Sequence, residues 1–297
     1  MLISEGGTLG EWKSPLDSNP DPWPLVRRVF HEQSREAERA CRKSIQTNEM
    51  GRTALLLLGL VVCARHSEGL SLLDAGTAAG LTLLLEQCRV RFHKPDGSAL
   101  ADYGTADSPV CINCRVPGVS AGLFGLRRPS GFLDVPPLLG RLGFDRRPVD
   151  LADPQEVLWQ VAQVWPGDAR RRARLIRAVD QWRSSGASLP PRGDATTKDL
   201  LDLAQKIPRG DIVVSHLCLS TSGSASLRKE HAFKNRLSEL AQERRTFEIS
   251  VELVDKQFRF EVLDWAAPKT PRILLSGRCH PHGTYVQVES TTMDAAS

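Results

Sequence analysis

One stretch, Ser71-Leu72-Leu73-Asp74-Ala75-Gly76-Thr77-Ala78-Ala79-Gly80-Leu81, constrains the fold more than any other part of the chain. An apolar run ends on an acid, two glycines follow four positions apart, and leucines resume after them. That order predicts a buried strand, a tight glycine turn and a helix. Such a turn lies at the carboxyl edge of a parallel sheet, where α/β proteins bind nucleotides. It offers free backbone N–H groups and, here, a carboxylate able to accept from a ligand hydroxyl or amine.

The spacing narrows the ligand. The dinucleotide fingerprint G-x-G-x-x-G uses its middle glycine to let the backbone approach a pyrophosphate. Here Ala78 holds that middle position and the third falls on Leu81. A ligand without a pyrophosphate needs no such approach, so the pattern favours a nucleoside such as S-adenosylmethionine over NAD or FAD. No Gly-Lys-Ser/Thr follows, which excludes a P-loop. The plain alternative is a glycine turn that only packs helix on strand.

Composition removes several classes. A chain of 297 residues with 41% apolar and 25% charged residues reads as an ordinary soluble globular protein of one large or two small domains. A net charge of +4 gives no case for nucleic acid. The densest basic run, Arg170-Arg171-Arg172-Ala173-Arg174, reads as a solvated helix face. The longest apolar run, Ala54 to Cys63, is far short of the ~20 residues of a membrane span. Met1 to Trp12 does not read as a signal peptide. Seven scattered cysteines, an odd number, suggest reduced thiols and a cytoplasmic location.

Periodicity sets the organisation. Residues 1–24 read as a flexible lead-in, 25–69 as a helical segment and 289–297 as a loose tail. Residues 70–288 read as one α/β domain, with a Gly/Pro/Ser-rich insertion at about 93–140. After the turn, Leu81–Gln87 reads as helical. Strands are expected at Leu70–Asp74, Leu142–Asp145, Asp211–His216 and several places from Thr246 to Val288, with helices between the earlier ones. The expected fold is therefore a mainly parallel sheet, helices on both faces, and a terminal antiparallel hairpin.

Several segments together resemble a known family. They are Gln46-Thr47-Asn48-Glu49 with Arg52, Leu73 to Leu81, Gly143-Phe144-Asp145 with Pro148 and Asp150, Trp165-Pro166, and Arg192-Gly193-Asp194-Ala195. In this order they resemble the bacterial family DUF2332. The alternation and the acid before the glycine turn also resemble Rossmann-fold S-adenosylmethionine-dependent methyltransferases. That resemblance implies a methyltransferase acting on a small-molecule acceptor, with S-adenosylmethionine as cofactor; no metal is expected, because the two cysteine clusters are too irregular for a closed tetrahedral site. It implies that Asp74 and the turn of Gly76, Thr77, Ala78 and Gly80 face the methionine part and ribose. Asp145 would accept the ribose diol, and Asp194 would meet the adenine amine. Ser215 and His216 would border the reacting methyl, with Glu49 and His216 as the catalytic candidates.

Each assignment has a structural rival. Asp145 and Asp150 suit a turn beside Pro148. Asp194 suits a helix cap, His216 a satisfied core histidine, and Gln46–Glu49 a capping cluster rather than a lid. A non-catalytic domain that binds a nucleoside or a protein partner fits the same pattern. Gly118-Val119-Ser120-Ala121-Gly122 matches the hydrolase pattern G-x-S-x-G without a strong strand before it, leaving an α/β-hydrolase as a minor alternative. Cys111 and Cys114, with Cys279 and His282, are too irregular for a standard zinc finger.

Overall fold

A computed structural model describes residues 21, 23–43, 45–118, 121–124, 132–133, 135–165, 167–217, 224–266 and 270–291. Most of the expected lead-in, the end of the expected tail, and Val119-Ser120 of the G-x-S-x-G pattern lie outside these residues. Two amphipathic helices come first, α1 (Trp23–Glu32) and α2 (Ser34–Arg42), and neither buries a residue.

Helix α3 (Thr53–Cys63) organises the interior. Its sequence carries no polar face, and all eleven residues are buried. A helix that is apolar all round must be covered on every side. The large sheet covers one side. Gly59 faces it so closely that an added Cβ would stand 2.5 Å from the side chain of Ile249. A smaller sheet covers the other side.

The large sheet has seven strands. In chain order they are β1 (Leu70–Ala75), β6 (Leu138–Phe144), β7 (Asp211–Leu217), β8 (Thr246–Val254), β9 (Gln257–Asp264), β10 (Arg272–Cys279) and β11 (Val286–Thr291). Their spatial order is β11-β10-β9-β8-β7-β1-β6. Strands β6, β1, β7 and β8 pair in parallel, and β8 through β11 form an antiparallel meander. The antiparallel part is thus larger than a single hairpin. Its cause is local. Asp255 and Lys256 both take positive φ (49° and 64°), closing a tight hairpin turn after β8 where a parallel crossover would need a dozen residues or more.

The region expected as an insertion forms the second sheet. Strands β2 (Arg89–His93), β3 (Ala99–Gly104), β4 (Cys111–Arg115) and β5 (Phe132–Leu133) lie in the order β4-β2-β3-β5. Alternation builds it. Val90 and Phe92 of β2, and Ile112 and Cys114 of β4, point inward between exposed or half-exposed neighbours. These residues join the same apolar core as α3.

Helices cover both faces of the large sheet. α5 (Ala169–Ser184) shares the α3 side, with α4 (Pro154–Ala162) against it. α6 (Asp199–Ala204) and α7 (Ser224–Glu243) cover the other, in a separate core around Leu73, Ile212 and Val214. The molecule is a mixed α/β protein. The chain leaves β1 to one side for β6 and returns to the other for β7. The carboxyl ends of β1 and β7 therefore bracket a topological switch point, where open α/β sheets bind ligands.

Candidate functional site

Asp74 stands at that switch point. Register pairs it with Ser215 on β7. Its carboxylate accepts from Ser215 Oγ at 2.6 Å and from Thr82 Oγ1 at 2.7 Å. Burial pushes its pKa up, and the hydroxyls of Ser215, Thr82 and Thr77 offset that only in part. Thr77 Oγ1 itself meets no partner with hydrogen-bond geometry.

The turn after Asp74 is wound by three left-handed residues. Gly76, Ala78 and Gly80 have φ of 78°, 55° and 78°. For Ala78 that conformation costs about 1–2 kcal/mol. Asp145 holds it there, with Oδ2 accepting from Ala78 N–H at 3.0 Å and Oδ1 from Arg147 N–H at 2.8 Å. The remaining turn amides are engaged too. Gly76 and Thr77 donate to Phe144 O, Ala79 to Asn48 Oδ1, and Gly80 to Thr77 O. The expectation of free N–H groups is therefore corrected. The turn folds back on its own surroundings, and the helix after it is a 3-10 segment, Leu81–Gln87, kinked at Leu84.

The segment Gln46–Arg52 closes the crevice. α4 holds its start, with Gln46 N–H donating to Gln163 Oε1 at 2.6 Å and Asn48 Nδ2 to Gln160 Oε1 at 2.8 Å. α5 holds its middle, because Glu49 pairs with Arg171 and with Arg174 Nη2 at 3.0 Å while accepting from Gly51 N–H at 2.9 Å. Arg52 closes its end, donating to Pro281 O and Leu217 O, both at 3.0 Å. Gly51 is required here, since an added Cβ would stand 1.9 Å from His282 O. Thr47, Asn48, Glu49, Arg52, Asp74 and Thr77 line the space beneath, about 30 Å³ in volume. That holds one or two waters, whereas small-molecule sites run to about 300–1,000 Å³.

The sequence-named residues divide. Asp74, Gly76, Thr77, Ala78 and Glu49 line the crevice. Gly80 caps its turn, and Ser215 holds Asp74. Asp145 is close but engaged with backbone. Asp194 sits beside it along the chain bridge Asp145–Arg192, yet its Oδ1 accepts from Thr196 N–H and Oγ1. Glu49 is no free base, because two guanidiniums hold its oxygens. His216 is not beside Ser215 at all. Neighbours on a strand point to opposite faces, so Ser215 faces the α3 side and His216 the α7 side. There His216 Nε2 meets Glu248 Oε1 at 2.7 Å, and its ring lies edge-on to Phe233.

The basic run also needs correction. Arg171 and Arg172 are buried rather than solvated, and Glu49 is the reason for the first. The polar pair Gln160 and Gln163, one helical turn apart, was the overlooked signal for what anchors Gln46 and Asn48. Among the described residues, Cys111, Cys114, Cys279 and His282 form no group able to hold a metal, and the described cysteines form no disulfide with one another.

Residues 7–287 match the family described as "Uncharacterized protein conserved in bacteria (DUF2332)", and the chain belongs to it. No curated protein and no solved structure matches the chain. No helix among the described residues is long and apolar enough to cross a membrane.

Proposed function

We propose that the crevice binds S-adenosylmethionine and that the chain transfers its methyl group to a small-molecule acceptor. One observation carries the reading. A buried carboxylate, Asp74, stands at the switch point of a parallel sheet beside a strained turn, under a polar segment tied to separate elements. Strain of this kind collects at binding sites. A cationic ligand group near Asp74 would draw its pKa back down and favour its ionised form.

Methyl transfer asks little more of the protein. The acceptor attacks the methyl in line, the C–S bonding pair returns to sulfur, and the acceptor loses a proton. Positioning and exclusion of water supply most of the catalysis. Gln46–Arg52 is suited to both, closing over the ligand once it is seated. Asp145 acts through Ala78 as a positioning residue, keeping the turn in its left-handed conformation.

A second reading, binding without turnover, is favoured by the state of Glu49 and His216. One is neutralised by arginines and the other faces away, so the crevice holds no free general base among its described lining.

Calorimetry tests the binding that both readings share, and a label-transfer assay separates them. S-adenosylmethionine or S-adenosylhomocysteine should bind, and Asp74→Asn should weaken binding by about 1.5–3 kcal/mol, the scale of a charged hydrogen bond. Absence of heat with both nucleosides at millimolar concentration sinks the cofactor assignment. Binding with no label transferred to any of a panel of small amines, acids and hydroxylated metabolites selects the second reading.

A further inference from the structure

The opposite face of the same strand ends carries an unassigned cluster. Strand parity gathers it. On β8, Glu248, Ser250 and Glu252 alternate onto the α7 side. His216 of β7 and Glu261 of β9 both lie opposite Ser250. Lys234 reaches in from α7 and meets Glu248 Oε1 at 2.5 Å, and Trp265 Nε1 donates to Glu248 Oε2 at 2.9 Å.

The two nitrogens of His216 differ. Paired with an ammonium, Glu248 is ionised and can only accept, so His216 Nε2 carries a hydrogen. His216 Nδ1 is buried without a hydrogen-bond partner. It faces Glu252 Oε1 at 3.8 Å. An imidazole lone pair and a carboxylate oxygen confront each other across that gap, and two acceptors repel unless a cation lies between them.

We propose that His216 Nδ1 and Glu252 bind a divalent first-row metal ion, zinc or manganese, with Glu248 orienting the imidazole from behind. The dimensions suit it. Metal–nitrogen and metal–oxygen bonds of about 2.0–2.2 Å span two atoms 3.8 Å apart at a wide angle. A carboxylate on the far nitrogen is the usual support of a metal-binding histidine, because it fixes the tautomer. One ring nitrogen of His216 and one carboxylate oxygen each of Glu248 and Glu252 lie within 4.8 Å of one another, so the orienting and ligating groups form one compact cluster. Lys234 does not occupy the gap, since it contacts the oxygen on the Nε2 side. The Glu252 side chain is 23% exposed, which gives the ion a route in and leaves coordination positions to water. One imidazole with carboxylates suits borderline and hard divalent ions rather than thiophilic ones. The site is independent of the crevice. It reverses the expectation of no metal, which considered cysteines.

Manganese is the first probe, because free thiols compete for it poorly. Water-proton relaxation should report about one bound ion per chain, and zinc should displace it. Glu252→Gln, at a partly exposed position, should fold normally and bind at least ~10-fold more weakly, as should His216→Asn. No binding at millimolar metal overturns the proposal, and so does unchanged affinity in Glu252→Gln. The remaining outcome is a proton in place of the ion. A metal-free His216 that titrates well above the usual 6.5 or so by NMR, with no metal uptake, makes the cluster an imidazolium bridge and also overturns it.

Discussion

Ser215 and His216 are adjacent in sequence and belong to two different electrostatic worlds. On the α3 side, Asp74 is buried among hydroxyls and meets no cation. On the α7 side, Glu248 is buried just as deeply but meets Lys234, His216 and Trp265. Burial pushes the Asp74 pKa up. For Glu248 burial pushes the same way, yet the hydrogen bonds of His216 and Lys234 and the charge of Lys234 outweigh it and bring the pKa down to about 2. Burial alone therefore does not decide whether an acid is stable in a sheet; its partners do. Asp74 is held by hydroxyls, whereas Glu248 is held by an ammonium, an imidazole and an indole.

The most severe test of that contrast is to remove the anchor. Glu248→Ala leaves Lys234, His216 and Trp265 without their shared acceptor. Breaking a buried pair in this way costs about 3–5 kcal/mol. Urea unfolding should show that loss. A cost below about 1 kcal/mol would mean that the network is not an anchor and that the two faces are energetically alike.

Acid should pull the two faces in opposite directions. The folded pKa of Glu248 is depressed from 4.5 to about 2. Its stabilisation is present above about 4.5 and is lost as pH falls towards 2, amounting to about 3 kcal/mol at 1.36 kcal/mol per unit. The folded pKa of Asp74 is raised from 3.8. Its contribution is fully present below 3.8 and is lost as pH rises through the folded value. The stability difference between wild type and Glu248→Gln should therefore grow with rising pH between 2 and 4.5. The difference between wild type and Asp74→Asn should shrink with rising pH, leaving Asp74→Asn as stable as wild type or more so near neutrality. Parallel slopes for the two pairs would break the contrast.

Much of the α/β half was legible. The run from Leu70 to Gly80 announced its strand and turn because a buried strand, a glycine at positive φ and an acid at the edge leave a local trace. The bounds of β8, Thr246–Val254, could be read directly from its composition. The second sheet was missed because its strands are short and separated by Gly and Pro, so a loop-rich reading outweighed the alternation of Val90 and Phe92. The His216 error was avoidable, since strand parity already sends it away from Ser215. Other features left no local signal. Glu49 and Arg171 are 122 residues apart, and only the packing of α5 across the crevice explains why Arg171, in a run of arginines, is buried.

The smallest expected effect tests whether the crevice opens by itself. Asn48 ties the closing segment to the turn, with Oδ1 accepting from Ala79 N–H at 3.0 Å and Nδ2 donating to Gln160 at 2.8 Å. Asn48→Ala removes both bonds and leaves the buried Ala79 N–H and Gln160 Oε1 to find water through the crevice, at a cost of about 1–3 kcal/mol. Its readout is local. Hydrogen exchange at the Ala79 amide should accelerate, while the amides pairing β7 with β8 keep the protection of the whole fold. That pattern means Gln46–Arg52 swings away as a unit and admits a ligand far larger than the ~30 Å³ now beneath it. Equal acceleration at Ala79 and at the β7–β8 amides would mean that opening the crevice unfolds the sheet, and that the two sides of β7 stand or fall together.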